Sequence, residues 1–396
     1  MLQLLPHDKV KEFFPYHRQE LVKTFLLLSQ CILQSRTLCL YKCRAYAGGA
    51  LGNKVLKKEI VYKKFIRFFS IKCPDAFCIG IIYLIINILG IENSNYLIID
   101  RTNWKIGKTN VNILYLGFLL PNGSFIPILF ETLDKRGNSN FSERSRLLQR
   151  FCELLEQKKS AFSAAQKSVL LADREFIGVE WFKIIVESGF SLVIRLRNKS
   201  YLNELCAQQK NKKSRMLKII SKSIENNGYF RASIILGEQP LYYIALPLKS
   251  QRKGDKKDEY LILITDDFDV NLASQRYALR WKIEVFFFNV KSNGFNLEDI
   301  NLKEPQKMQL MLTILGFLYV LIHKEHLVNR KVIKEKTFKK RTANAISIFR
   351  NSYDDFKIKV LNINDLINFI IQNLNITIKI NQDKYQNVKY LNLKSG

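Results

Sequence analysis

Residues 95–134 read NYLIIDRTNWKIGKTNVNILYLGFLLPNGSFIPILFETLD. NYLIID is apolar up to a closing acid, Asp100, the pattern of a buried strand that presents a carboxylate at its end. Residues 112–134 hold two more apolar runs separated by Pro121-Asn122-Gly123, which predicts a hairpin. RGNSNFSERSRLLQRFCELLEQKK (136–159) predicts a polar loop opening an amphipathic helix, with Ser142 as its N-cap. SVLLAD (168–173) repeats the first pattern, an apolar run closed by Asp173. A helix is expected over GVEWFKIIVESG (178–189) and a strand over FSLVIRLR (190–197). Strand, hairpin, helix, strand, helix, strand is the order of an α/β fold: a mixed five-stranded sheet with flanking helices.

On either side the character changes. Residues 1–92 read as helical, from apolar spacing in HRQELVKTFLLLSQCILQ (17–34) and KKEIVYKKFIRFFS (57–70), with AYAGGALGN (45–53) as a break. Lys57, Lys58, Lys63, Lys64 and Arg67 alternate with aromatics, so one face is free to bury while the other meets phosphate or solvent. Residues 198–270 read as a β-rich insertion: YFRASIIL, PLYYIALPL and YLILITDD as strands, KNKKSRMLK (210–218) and KSQRKGDKK (249–257) as basic loops. The helical character returns near Ser274 and continues past 305, through a basic stretch at 330–341 to a last helix at INDLINFIIQNL (363–374). The expected division is 1–92, 93–305 and 306–396.

The chain of 396 residues has 63 Lys and Arg against 35 Asp and Glu, a net charge of +28 that calls for a polyanionic partner, nucleic acid above all. At 47% hydrophobic residues it is not a disordered chain. The seven cysteines form no CxxC and the four histidines lie far from any cysteine pair, which argues against a zinc site and for free thiols in a reducing cytoplasm. MLQLLPHDKVKEFF carries charges where a signal peptide needs apolar residues. The apolar runs 77–91 and 311–322 fall short of the roughly 18 residues that span a bilayer, so buried core helices and no membrane are expected.

In YALRWKIEVFFFNVK (277–291), Tyr277, Arg280, Glu284 and Lys291 stand at offsets 0, 3, 7 and 14. On an unbroken helix, at 100° per residue, these fall within about a 60° arc. One face then offers a carboxylate flanked by two cations and a phenol. With Asp100 and Asp173 it completes a set of three hard oxygen ligands, the set that holds two magnesium or manganese ions against a phosphodiester. Each acid alone has an ordinary explanation: a turn cap for Asp100, an ion pair with Arg174 for Asp173, an i,i+4 pair with Arg280 for Glu284.

The spacing YxxRxxxExxxxxxK resembles the signature of the bacterial insertion-sequence DDE transposases that bear the YREK motif. IIDRTNWKIGKTNVNILYLG (98–117) resembles that family's first catalytic block, RGNSNFSER its Gly-Asn-Ser loop, and LLADREFIGVEWF (170–182) with VIRLR (193–197) its second block. YKKFIRFF (62–69) is similar to the family's pre-catalytic helix. The resemblance covers about 96–300. It implies a ribonuclease-H-like catalytic domain with a β-rich insertion, two Mg2+ or Mn2+ ions bridged by Asp100 and held also by Asp173 and Glu284, and contacts to phosphates from Tyr277, Arg280 and Lys291. It implies cut-and-paste transposition: hydrolysis at the element's ends, closure of a hairpin there, and strand transfer to target DNA by a homodimer assembled on DNA. Trp104 and Trp181 are candidates for stacking on a flipped base, with burial in the core as the alternative. A ribonuclease-H-like nuclease or resolvase, and a non-catalytic DNA-binding protein from a decayed element, are the competing readings.

Overall fold

The computed structural model describes residues 5–374 except 53–54, 91–95, 121–122, 158–167, 198, 249–259, 330–334, 339–340 and 345–346. The hairpin turn at Pro121-Asn122 and the whole of the basic segment 249–257 therefore lie outside the described residues. The chain divides into two compact units, one of residues up to Glu92, Asn103–Asn112 and the chain from Val285, the other of Asn93–Thr102 and Ile113–Glu284.

The first unit is mainly helical: α1 (His7–Phe13), α2 (Gln19–Ser35), α3 (Leu40–Cys43), α4 (Ala47–Ala50), α5 (Lys58–Phe68) and α6 (Pro74–Leu89). α6 starts on Pro74, whose ring suits the first helical position, and stops at Gly90, where φ is 56°. Gly80 on α6 lets α1 approach: a Cβ there would lie 2.2 Å from the carbonyl oxygen of Phe13. Phe14 and Phe25 close on Phe77 of α6, with ring centroids 4.8 and 5.8 Å away.

The C-terminal helices complete this same core. Against α6 and α2 packs α13 (Pro305–Asn329), with Phe317 and Phe25 rings 5.0 Å apart. α14 (Ile348–Lys359) and α15 (Ile363–Asn373) follow. Tyr319 of α13 stacks on Phe349 of α14, and Tyr353 donates to the carbonyl of Leu33 on α2 at 2.8 Å. Packing thus joins regions that the sequence reading separates at 92 and 306. α13 is long and apolar enough to cross a membrane, but 83% of its apolar window is buried in the protein, the burial of a core helix. The basic stretch 330–341 contributes to a hairpin, β9 (Glu335–Phe338) with β10 (Arg341–Asn344), where no strand is expected from sequence.

The strands preceding that hairpin form one sheet: β1 (Tyr96–Ile106), β2 (Thr109–Leu119), β3 (Phe125–Thr132), β4 (Val169–Ala172), β5 (Ser191–Arg195), β6 (Phe230–Leu236), β7 (Gln239–Pro247) and β8 (Tyr260–Thr265). It has eight strands in the order β3-β2-β1-β4-β5-β8-β7-β6. β1, β4 and β5 are parallel to one another, while β2/β3 and the run from β5 to β6 are antiparallel. This mixed α/β architecture is compatible with a ribonuclease-H-like transposase fold.

The three strands of the expected insertion extend the sheet through β5–β8 pairing instead of standing apart from it. Two helices precede them, α9 (Leu202–Gln208) and α10 (Lys213–Asn227), so KNKKSRMLK is in large part helix and not loop. Met216 and Ile220, one turn apart, are the buried pair that anchors α10, a periodicity obscured by the lysines around it. α7 (Phe141–Gln157) begins two residues after Ser139, the last residue of the Gly-Asn-Ser (GNS) loop. Its cap is Asn140 rather than Ser142: Glu143 N–H donates to Asn140 Oδ1 at 2.9 Å and Asn140 N–H to Glu143 Oε2 at 2.7 Å. That is a reciprocal capping box, and Asn-x-x-Glu satisfies two end donors where Ser142 satisfies none. α8 (Val179–Glu187) and α11 (Val270–Leu279) also belong to this unit.

Gly117 marks the β2–β3 register shift, where a Cβ would lie 2.0 Å from the Ile126 carbonyl oxygen. Gly117→Ala is therefore expected to lower stability by about 1–3 kcal/mol through overpacking. Gly49→Ala, on α4 with nothing within 4 Å of the new Cβ, is expected to be neutral or slightly stabilising. Urea unfolding of both variants tests this; equal midpoints contradict it.

Candidate active site

β1 and β4 pair in parallel with Ile98 opposite Leu171. Asp100 and Asp173 each stand two residues beyond this pair, at equivalent places; Asp173 directly follows the end of β4, but β1 runs on through Asp100 to Ile106, so the strand expected to close at Asp100 does not end there. The residues leading to them are buried because both faces of these central strands are covered, which is why each run reads as continuously apolar. Each aspartate also accepts the next residue's backbone N–H at 2.7 Å, Arg101 for Asp100 and Arg174 for Asp173.

The third acid arrives on a helical segment in two pieces. α11 is capped by Asp269, whose side chain accepts from the N–H groups of Asn271 and Leu272. It packs against β4 and β5 and ends at Leu279; α12 runs Trp281–Phe288, and Asn289–Asn293 form a π turn. Around Arg280 the bonds are of the tighter i to i+3 kind, Arg280 N to Tyr277 O at 3.0 Å and Ile283 N to Arg280 O at 3.2 Å. The single arc expected for four residues on an unbroken helix therefore does not hold. No glycine or proline marks the joint in the sequence.

The joint aims Arg280 into the acids. Its Nη1 donates to Asp100 Oδ2 at 2.9 Å and its Nη2 to Glu284 Oε1 at 2.5 Å. Tyr277, buried, directs its hydroxyl at Asp173 Oδ1 from 3.4 Å. Asp100, Asp173, Tyr277, Arg280 and Glu284 all belong to the same unit. Lys291 belongs to the other, where its Nζ donates to the Asn103 carbonyl at 2.9 Å and lies 3.6 Å from Glu298 and 5.6 Å from the Trp104 ring centroid.

Burial pushes the Asp100 carboxyl up to about 7, with Asp173 and Glu284 adding to the rise, while Arg280 and the Arg101 N–H oppose it. Burial also raises the Tyr277 phenol. For Arg280 burial works against the charge, but Tyr277 and the three acids outweigh it and the group stays protonated. Among the described residues, no three His, Cys, Asp or Glu side chains converge closely enough to hold a metal ion. By donor chemistry the three carboxylates suit a hard divalent cation; in this structure the Arg280 guanidinium bridges two of them.

A second set of charges, unforeseen from sequence, braces the residues that follow Asp100 and Asp173. Glu175 accepts from Arg101 Nε at 3.1 and 3.2 Å and from the N–H and hydroxyl of Ser139 at 2.9 and 3.0 Å. Arg144, buried on α7, donates to the carbonyls of Ser139 and Glu175 at 2.5 and 2.9 Å and to Ser139 Oγ at 2.9 Å. The GNS loop, the residue after Asp100 and the second residue after Asp173 are tied together in this way. The visible signal in the sequence is a charged residue within two positions after each aspartate, Arg101 and Glu175. Trp104 and Trp181 are buried in the core, as in the alternative weighed for them, and Trp281 is the exposed tryptophan.

Residues 139–321 match the model of the transposase DDE domain family. The matched span includes Asp173, Tyr277, Arg280, Glu284 and Lys291; Asp100 lies before it. The match supports a DDE transposase, a protein of transposition and mobile elements. No curated protein matches the chain.

Two outcomes are expected at this site. Asp100 binds its proton more tightly folded, at about 7, than unfolded, near 3.8. Its contribution to stability is therefore full below the unfolded value and is lost as pH rises through 7. The stability of Asp100→Asn relative to the parent should accordingly rise between pH 4 and pH 8 in metal-free buffer; a flat difference by denaturant titration contradicts the shift. Glu175→Gln leaves Arg101 short of its counter-charge in a mostly buried position and is expected to cost about 3 kcal/mol, read by the same titration.

Proposed function

We propose that this chain is the transposase of an insertion sequence, cutting DNA at the element's ends and joining those ends to target DNA. What carries the proposal is the placement of Asp100 and Asp173 at matched positions on adjacent parallel strands, with Arg280 linking Asp100 to Glu284. The contiguous order β3-β2-β1-β4-β5 within the sheet supports a ribonuclease-H-like five-stranded core, and the YxxRxxxExxxxxxK spacing supports the YREK subfamily.

In this proposal Asp100, Asp173 and Glu284 are the catalytic carboxylates and hold two Mg2+ or Mn2+ ions. When bound, the ions supply polarisation of the phosphodiester and charge balance for three crowded acids. Arg280 orients Asp100 and Glu284 beforehand, and its fork suits a phosphate oxygen as well as a carboxylate. Tyr277 and Lys291 contact the phosphates of the element's end. Cut-and-paste chemistry with a hairpin on that end, and assembly as a homodimer on DNA in a bacterial cytoplasm, complete the proposal.

α5 supports recognition of element ends by the region 1–92. It buries Val61, Phe65 and Phe68 and leaves Lys57, Lys58, Lys63 and Arg67 exposed, so its apolar face is used in the fold and its cations are not. Because α6 and α2 share a core with α13, point changes on α5 test this better than truncation.

Asp100→Ala should bind a fragment carrying the gene's flanking inverted repeats as well as the parent, and should not cut it in magnesium. Lys291→Ala should flatten the log–log salt dependence of binding by about one unit and reduce cleavage. Nicking by Asp100→Ala would sink the triad. A parent that binds but never cuts would favour the non-catalytic DNA-binding reading, and cutting without strand transfer would favour a nuclease or resolvase.

A further inference from the structure

The sheet unit carries a concentration of positive charge away from the acids discussed above. Between 197 and 227 stand Arg197, Lys199, Lys210, Lys212, Lys213, Arg215, Lys218 and Lys222, against two acids, Glu204 and Glu225, the latter accepting from Ser221. On α10, Met216 and Ile220 are 2% and 3% exposed and face inward, where the helix packs on β6 and β7. At 100° per residue, Arg215, Lys218 and Lys222 fall within about a 60° arc on the opposite side. All three are exposed, and among the described residues none of them pairs with an acid.

The face is held rigidly. Gly228, at φ 80°, ends α10 with a bond to the Ile224 carbonyl, and Ser223 Oγ donates to the Tyr229 carbonyl at 2.7 Å. Just before α10, Gln208 exchanges two 2.8 Å hydrogen bonds with the backbone of Ile235 on the edge strand β6. With a rise of about 1.5 Å per residue, the three cations lie about 4.5 and 6 Å apart along the axis. A straight row of unpaired cations on an anchored helix is complementary to a DNA backbone, which presents one charge per about 1.7 Å of duplex. An anionic membrane is the weaker fit: Met216 and Ile220 are consumed by the sheet, and the exposed apolar residues of α10, Leu217 and Ile219, stand about 160° apart around the helix and form no single face to enter lipid.

We propose that the Arg215–Lys218–Lys222 face of α10 is a sequence-independent binding surface for the phosphate backbone of duplex DNA, additional to the phosphate contacts assigned to Tyr277, Arg280 and Lys291. The proposal rests on the transposase reading for its ligand, and the test separates the two.

The full-length protein is titrated with a 30-base-pair duplex of arbitrary sequence over a range of salt concentrations. It is compared with the triple variant Arg215→Gln, Lys218→Gln, Lys222→Gln, and with a control of equal charge loss, Lys9→Gln, Lys23→Gln, Lys307→Gln. The control lysines each sit beside a glutamate already. Unchanged far-ultraviolet dichroism confirms that the variants fold. At about 0.9 per phosphate contact, the triple variant should flatten the log–log slope by about 2 to 3 units and the control by less than one. Equal slopes for parent and triple variant, or equal losses in triple variant and control, overturn this inference alone. A parent with no salt-dependent affinity for duplex overturns the transposase reading with it. Loss of binding to phosphatidylserine vesicles but not to duplex overturns it in favour of a membrane surface.

Discussion

Arg280 sits between Asp100 and Glu284 with one nitrogen on each, 2.9 and 2.5 Å away. Two carboxylates brought together with a third nearby repel one another, and burial makes that repulsion harder to screen. A planar guanidinium with fixed donor directions answers both difficulties, since it neutralises charge and sets the two acids' orientation at once. The consequence for the chain is topological. The middle of β1, at Asp100, and the α11–α12 segment, 180 residues apart in sequence, are locked to each other by one side chain. The tight turn at Arg280 is the backbone conformation that accompanies this arrangement.

Behind that fork, Glu175 and Arg144 do for the loops what Arg280 does for the acids. Glu175 takes hydrogen bonds from both the GNS loop and Arg101, while Arg144 holds the carbonyls of the loop and of Glu175 itself. A charged group so placed is tolerated only with its partners in position, because an unpaired buried charge is costly. The network therefore resists any drift of the backbone that carries Asp100 and Asp173.

Charge is distributed with a corresponding economy. The excess of cations is not spread evenly: on α5 and α10 it lies on the outer faces of helices that bury Val61, Phe65 and Phe68, and Met216 and Ile220, on their inner side. Such faces have no role in the core and are free to meet a polyanion. In the helical unit the N-terminal and C-terminal segments share one core through α2, α6, α13 and α14, so a change in the last hundred residues reaches the first hundred by direct packing.

Much of this is legible in one dimension because it depends on local pattern. Apolar runs followed by Asp100 and Asp173, the hairpin of β2 and β3, α8, β5 and the last helix α15 all follow from periodicity and turn chemistry, and the spacing of Tyr277, Arg280 and Glu284 singled out two helical residues that contact the aspartates and the glutamate that Arg280 holds. What the pattern missed has a common cause. Met216 and Ile220 declare α10 only once a sheet exists to cover them; among so many lysines their spacing was a faint signal. The β9–β10 hairpin lies in a basic segment with no alternating apolar face. Placement of β6, β7 and β8 in the main sheet rests on β5 having an open edge for β8, which is a property of the assembled sheet. The joint at Arg280 and the partnership of Glu175 with Arg101 are likewise invisible locally, since each is decided by a charge that arrives from a distant part of the chain. The sequence by itself determined the apolar runs of the central strands and the acids that follow them; tertiary structure alone decided which charges those acids face, because electrostatic pairing depends on proximity in space and not on order along the chain.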